Sequence, residues 1–497
     1  MIIRNKLSGT LAGGPRQYTQ IRNKIIVSTK DVANNAEVLS EIRDVGFAVS
    51  ETAESGVAVL KAEEDIATVV SNAADRIDVP ELPNSMPKEF NQNGAVKYAT
   101  DRIVEATSNL LLFVKNIPGV RRAFFAETLV DYGPENLRIS PVSREDVFGE
   151  DDDLSTMKEL NDRLGITELH KTYRGEGTTV AIFDTGFAEG LIDESRIVNT
   201  YHDDSVDSVY ASKEGHGTMT AGGACASSDV EGVPYDAPAP ESDVILVRIT
   251  NEAGQIDSSV ITEAWSWLAN LDIEGPVIAN HSYGTPLCSG RPRTQFCDGP
   301  EQKLVSRILT DSSITAVYAA GNEAMRCGHR PSGLTNGITG TNSLPSVITV
   351  GALLTSGKEA QRYSSHGRGD CSPVSDPKPN VSAPIPESVY YGVEDGFKLK
   401  DMSTGLIGSS GGTSHAAPYT AGVIALLQSV AINGDSSNED DMIPSGRIKQ
   451  MLQDTAETPH TNAANITGLL ISEKGYGARF GYGEIRPEEM VGKVLER

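Results

Sequence analysis

Thr179-Val180-Ala181-Ile182-Phe183 is an unbroken apolar run of strand length that stops at Asp184-Thr185-Gly186. An uninterrupted run, rather than alternation, is the pattern of a strand buried on both faces, as in a parallel sheet covered by helices. Ile314-Thr315-Ala316-Val317-Tyr318-Ala319-Ala320 reads as a further strand. Helices are expected after His216, where Met219 to Ala224 pack through small residues, and over Ala416 to Val430, Ile443 to Thr455 and Arg486 to Glu496. Pro418 is tolerable in the first turn of its helix, where no intrahelical donor is lost. Strands and helices arranged this way predict an α/β fold with a mostly parallel central sheet.

The first 150 residues follow a different pattern. Lys24–Ser28 reads as a strand, Asp31–Arg43 as a helix, Phe47–Ser50 and Val57–Leu60 as two short strands, Glu63–Ala74 as a helix and Ile77–Val79 as a strand. That β-α-β-β-α-β order is ferredoxin-like. A second stretch, Asn109–Val130, holds Ile117-Pro118-Gly119-Val120 and the strand-like Ala123–Glu127, so the small domain uses either stretch or spans both, with an insertion around Pro80–Asn93. Residues 133–155 are polar and acidic and read as an exposed linker. The expected division is therefore 1–132, a small α+β domain; 133–155, a linker; and 156–497, the main domain.

Three segments carry the chemistry. Asp184 ends a strand, where open α/β sheets place functional groups. His216 sits between Gly215 and Gly217 as a helix begins, and Ser414 follows Gly411-Gly412-Thr413 at the start of another helix. A serine hydroxyl is a weak nucleophile that needs a base, and a carboxylate fixes the imidazole's tautomer. A helix N-terminus also offers N–H groups and positive dipole to an oxyanion. The order Asp, His, Ser is one of three unrelated orders giving that geometry.

Residues 155–490 or so resemble the subtilisin-like serine proteases, on Ala181–Gly186, Gly215–Gly222 and Gly412–Pro418. The resemblance implies a subtilisin-like three-layer fold and an endopeptidase with Asp184, His216 and Ser414 as its catalytic triad. It implies Asn322, in Ala319-Ala320-Gly321-Asn322, as the oxyanion donor beside the Ser414 N–H. Ser282, Tyr283 and Gly284 would form one wall of the cleft and pair with a peptide substrate as an added strand, with Ala319, Ala320 and Gly321 opposite. Tyr283 and His281 depart from the family pattern there. The N-terminal region resembles the family's inhibitory prodomains, so an autoprocessed zymogen with its own N-terminal region as inhibitor is expected. Rival readings are a silent peptide-binding homologue and a peptide ligase or cyclase on the same scaffold. No cofactor is required for this chemistry. Structural calcium is compatible with the family, but its ligand loop is not recognisable, and no metal ligand is named.

Composition narrows the partners. A net charge of −25 argues against nucleic acid and against an anionic membrane surface. No apolar stretch is long enough for a span or a secretory leader, which favours a cytoplasmic or virion-associated location. Of five cysteines, an odd number, Cys288 and Cys297 lie nine apart and could close a small loop, while Cys225 reads as a small core residue.

Overall fold

In a computed structural model of the chain, the described residues are 24–29, 47–52, 57–62, 120–125, 128–131, 157–211, 215–251, 254, 256–284, 297–324, 337–367, 369–373, 376, 378–386, 388–393, 396–401, 412–434, 442–458, 477 and 479–496. Contacts divide the chain into two units, Met1–Glu127 and Thr128–Arg497.

The first unit holds strands β1 (Lys24–Thr29), β2 (Phe47–Thr52), β3 (Val57–Ala62) and β4 (Val120–Phe125) in one antiparallel sheet, ordered β2-β3-β1-β4. This is the ferredoxin-like strand order, with its fourth strand supplied by the second stretch. The expected helices 31–43 and 63–74, the strand 77–79 and the linker 133–155 lie outside the described residues.

The second unit runs β5 (Thr128–Asp131), α1 (Met157–Arg163), α2 (Ile166–Leu169), β6 (Thr179–Asp184), β7 (Ile197–His202), α3 (Gly215–Cys225), β8 (Asp243–Arg248), β9 (Ile256–Asp257), α4 (Ser258–Ala269), β10 (Val277–His281), β11 (Tyr283–Gly284), α5 (Pro300–Asp311), β12 (Thr315–Ala319), β13 (Ile348–Leu353), β14 (Val381–Pro384), the hairpin β15 (Ser388–Val393) and β16 (Gly396–Asp401), α6 (Thr413–Asn433), α7 (Ser445–Thr455) and α8 (Pro487–Leu495). Seven strands form one sheet, ordered β14-β13-β12-β10-β6-β8-β7, and every neighbouring pair is parallel.

Alternation along the central strands gives the sheet two different faces. Val180, Ile182, Ile278, Val317 and Val350 share one buried cluster with α6 residues such as Ile424 and Leu427. Phe183, His281 and Tyr318, one residue out of phase, meet Trp265 of α4 on the other face. Helices on both faces make three layers. Among the described residues α6 alone is long and apolar enough to cross a membrane, and it is buried in this core.

One sequence expectation is corrected. Cys297 is disulfide-bonded to Cys371, with 5.2 Å between Cα atoms, and not to Cys288. The cause is the turn Gly340–Ser343. Thr341 of this turn donates to Glu301 Oε1 and accepts from Gln302 Nε2, both on α5, while Ser343 Oγ accepts from the Cys371 N–H. Both partners thus converge on one turn, which local spacing could not foretell. Cys225 is buried and free, and burial pushes its thiol up to about 11.

Candidate active site

Asp184 is the last residue of β6 and His216 the second residue of α3, so their meeting depends on how α3 approaches the loop after β6. Gly217 permits that approach: a Cβ there would collide with the Gly186 carbonyl oxygen. The result is a hydrogen bond of 2.7 Å between His216 Nδ1 and Asp184 Oδ1, with the side chains 2 % and 1 % exposed. A carboxylate only accepts, so Nδ1 is the donor in this bond.

Other groups hold the carboxylate still. The Thr185 N–H donates to Asp184 Oδ1 at 2.7 Å, and Thr220 Oγ1 lies 3.1 Å from Oδ2. Thr220 is one helical turn beyond His216, hence on the same face of α3. The spacing was readable in the sequence, although nothing there marked this threonine among many.

Ser414 enters on the first turn of α6. Gly412 begins that helix at φ 63°, a left-handed conformation that favours glycine. Ser414 Oγ donates to the Ser282 carbonyl at 3.2 Å, and Ser282 Oγ returns a bond to the Ser414 carbonyl at 3.0 Å. The nucleophile candidate and the first residue of the expected substrate wall are therefore directly bonded. Asn322 lies beyond β12, and its Oδ1 accepts from the Thr413 N–H and the Thr413 hydroxyl at 3.1 and 2.9 Å. Thr413 Oγ1 also accepts from the Gly321 N–H. With Oδ1 so held, the amide's orientation is fixed next to the residue that precedes Ser414.

Ser282, Tyr283 and Gly284 are all buried. Tyr283 and Gly284, as β11, pair antiparallel with β5, Tyr283 opposite Asp131 and Gly284 opposite Val130. On its other side β5 pairs with β9, Leu129 opposite Ile256. A segment of this same chain thus lies as the middle strand of three, on the edge that the sequence resemblance leads one to expect a peptide to use. Ala319, Ala320 and Gly321 are fully buried or nearly so; Ala319 ends β12, the strand beside β10, and the other two follow it.

Nothing in the sequence signals what packs around His281, next to Ser282 and Tyr283. The His281 ring is sandwiched between Tyr318 (centroids 4.2 Å) and Trp265 (4.9 Å), with Phe183 at 4.4 Å. Its Nδ1 shares a 2.7 Å hydrogen bond with the Tyr283 hydroxyl. Burial holds the His281 imidazole well below its ordinary value, so it is neutral. His415 does not join His216. Its ring fills the space that a side chain at Gly223 would take, and burial brings it down to about 4. No group of three or more His, Cys, Asp or Glu side chains converges among the described residues.

The model of the subtilase family matches residues 175–483, more than half of the chain. The chain belongs to the subtilase family. It is 25 % identical over 324 residues to the serine protease AprX of Bacillus subtilis, covering 63 % of this chain and 69 % of that protein. It is 26 % identical over 308 residues to an intracellular serine protease of Paenibacillus polymyxa, covering 60 % and 79 %. With subtilisin E of Bacillus subtilis it shares 27 % over 257 residues, 52 % of this chain and 57 % of that one. The subtilase match spans β6 to the segment before α8, and so takes in Asp184, His216, Asn322 and Ser414. The protein is a subtilisin-like serine protease, acting on protein or peptide substrates.

Proposed function

We propose that this subtilase is an endopeptidase made as a zymogen, with Asp184, His216 and Ser414 as its triad. The buried 2.7 Å pair of Asp184 and His216 carries the reading, because it leaves a basic Nε2 on a fixed imidazole. For attack, the Ser414 hydroxyl exchanges its hydrogen bond from the Ser282 carbonyl to that nitrogen, which takes the proton as Oγ adds to the scissile carbonyl. Asn322 Nδ2 and the Ser414 N–H then hold the oxyanion, and imidazolium returns the proton to the leaving amine. Water repeats the cycle on the acyl-enzyme.

The β5 register supports autoprocessing. It pairs Val130 with Gly284 and Asp131 with Tyr283, and one step further on the edge is Ser282, bonded to Ser414. The next residue in sequence is Tyr132, so the bond expected to meet the nucleophile is Tyr132–Gly133. Edge pairing is a general way to hold a peptide, since backbone bonds give affinity whatever the side chains.

The test is labelling by a fluorophosphonate, followed by product analysis on a peptide library. Wild-type protein takes the label on Ser414 and hydrolyses peptides; Ser414→Ala takes none. A folded wild-type protein that stays unlabelled defeats the reading, and joined rather than hydrolysed peptides turn it into a ligase.

A further inference from the structure

The β10–β12 ladder ends at His281 opposite Tyr318. Beyond that point run Ser282–Gly284 on one side and Ala319–Gly321 on the other, the segments expected to wall the cleft. One side chain spans the gap. Asn342, 3 % exposed in the turn Gly340–Ser343, donates through Nδ2 to the Tyr283 carbonyl and to the Ala319 carbonyl, both at 2.8 Å. Both amide hydrogens are thereby committed, one to each wall.

The turn that carries Asn342 is itself fixed. Thr349 Oγ1 donates to the Asn342 carbonyl at 2.6 Å, Ser343 Oγ closes the turn on the Gly340 carbonyl, and Thr341 Oγ1 reaches the buried Glu301 carboxylate. Tyr283 is tied at its far end as well, through its hydroxyl to His281.

We propose that Asn342 is a specificity-determining strut, setting the width and floor of the slot that receives the substrate side chain preceding the scissile bond. The inference rests on the protease reading above, because it takes Tyr283 and Ala319 as the two walls. An amide nitrogen suits the task. It has two donors, so one side chain bonds both carbonyls at once. An apolar residue would remove both bonds, and a carboxylate would set a third acceptor beside the two carbonyls.

The experiment profiles kcat/KM over a peptide library varied at the residue before the cut, with fluorophosphonate labelling of Ser414 in parallel. Asn342→Ala is expected to keep the label while the ratio between best and worst residues narrows about tenfold, the equivalent of 1.4 kcal/mol. Asn342→Asp is expected to do worse than Ala. Asn342→Ser, which keeps one donor, is expected to fall between wild type and Ala, and serves if Ala does not fold. A uniform fall for every residue, or an Asp variant that profiles like wild type, overturns the strut. Loss of label in wild type would instead overturn the protease reading beneath it.

Discussion

Single side chains at this site do distinguishable work. Asn322 is pinned through Oδ1 by Thr413, so its Nδ2 is aimed without conformational search. Asn322→Ala should lower kcat by about 10² to 10³ with little change in KM, since the donor acts on charge that develops only in the transition state. Equal losses in kcat and KM would assign the donor elsewhere. Thr220 Oγ1 lies within hydrogen-bond reach of both Asp184 Oδ2 and the Gly217 carbonyl, so its one proton steadies the carboxylate or the start of α3. Thr220→Val should cost about tenfold in kcat, the scale of one net hydrogen bond. It should also displace the pH profile of kcat/KM, which a purely structural role would leave in place.

At the scale of elements, α3 and the loop after β6 approach so closely that Gly217 has no room for a methyl group. Gly217→Ala should push the start of α3 away from Asp184 and lower kcat by about 10²-fold, the cost of a small misplacement. Gly492 on α8 has nothing within reach of an added Cβ, so Gly492→Ala should raise stability by about 0.5–1 kcal/mol through helix propensity. Thermal melts and steady-state kinetics on the two variants check both. Elements of this kind were legible in the sequence because their signals are local. Short strand-like runs marked β6 and β12, the family resemblance marked β10, and glycine punctuation marked the starts of α3 and α6. The Cys297–Cys371 bond, the Asn342 strut and the stack around His281 were not legible, because each joins residues that only the folded sheet brings together. The fourth strand of the N-terminal sheet was one of two stretches in the sequence, and only pairing with β1 selected Val120–Phe125.

The whole molecule combines a buried, acid-sensitive interior with an edge that its own chain covers. His415 is held neutral, with its ionisation at about 4 against an ordinary value near 6.5. Between those two values the unfolded chain binds a proton that the folded one does not. Stability is therefore full above about pH 6.5 and falls as pH drops towards 4, by on the order of 3 kcal/mol for this group. His281, depressed in the same direction, adds to the slope. Urea midpoints at pH 8 and pH 4.5 should differ accordingly, and His415→Gln should flatten the difference. The covered edge makes the second claim. With β5 seated between β9 and β11, a peptide using the proposed substrate edge would compete for backbone groups already paired. An uncut chain should therefore be slow on added peptides. Wild-type protein should cut itself once after Tyr132, with mass spectrometry of the larger fragment giving Gly133 as its first residue, while Ser414→Ala stays at its full 52.9 kDa. The smaller fragment should then act as a product inhibitor, since its last residues already match the edge and a folded domain behind them adds pre-organised contact. A cut elsewhere would mean that β5 is a permanent edge strand and that peptides bind in a different register. A wild-type chain that stays whole and fully active would remove the zymogen altogether, leaving the triad's chemistry untouched.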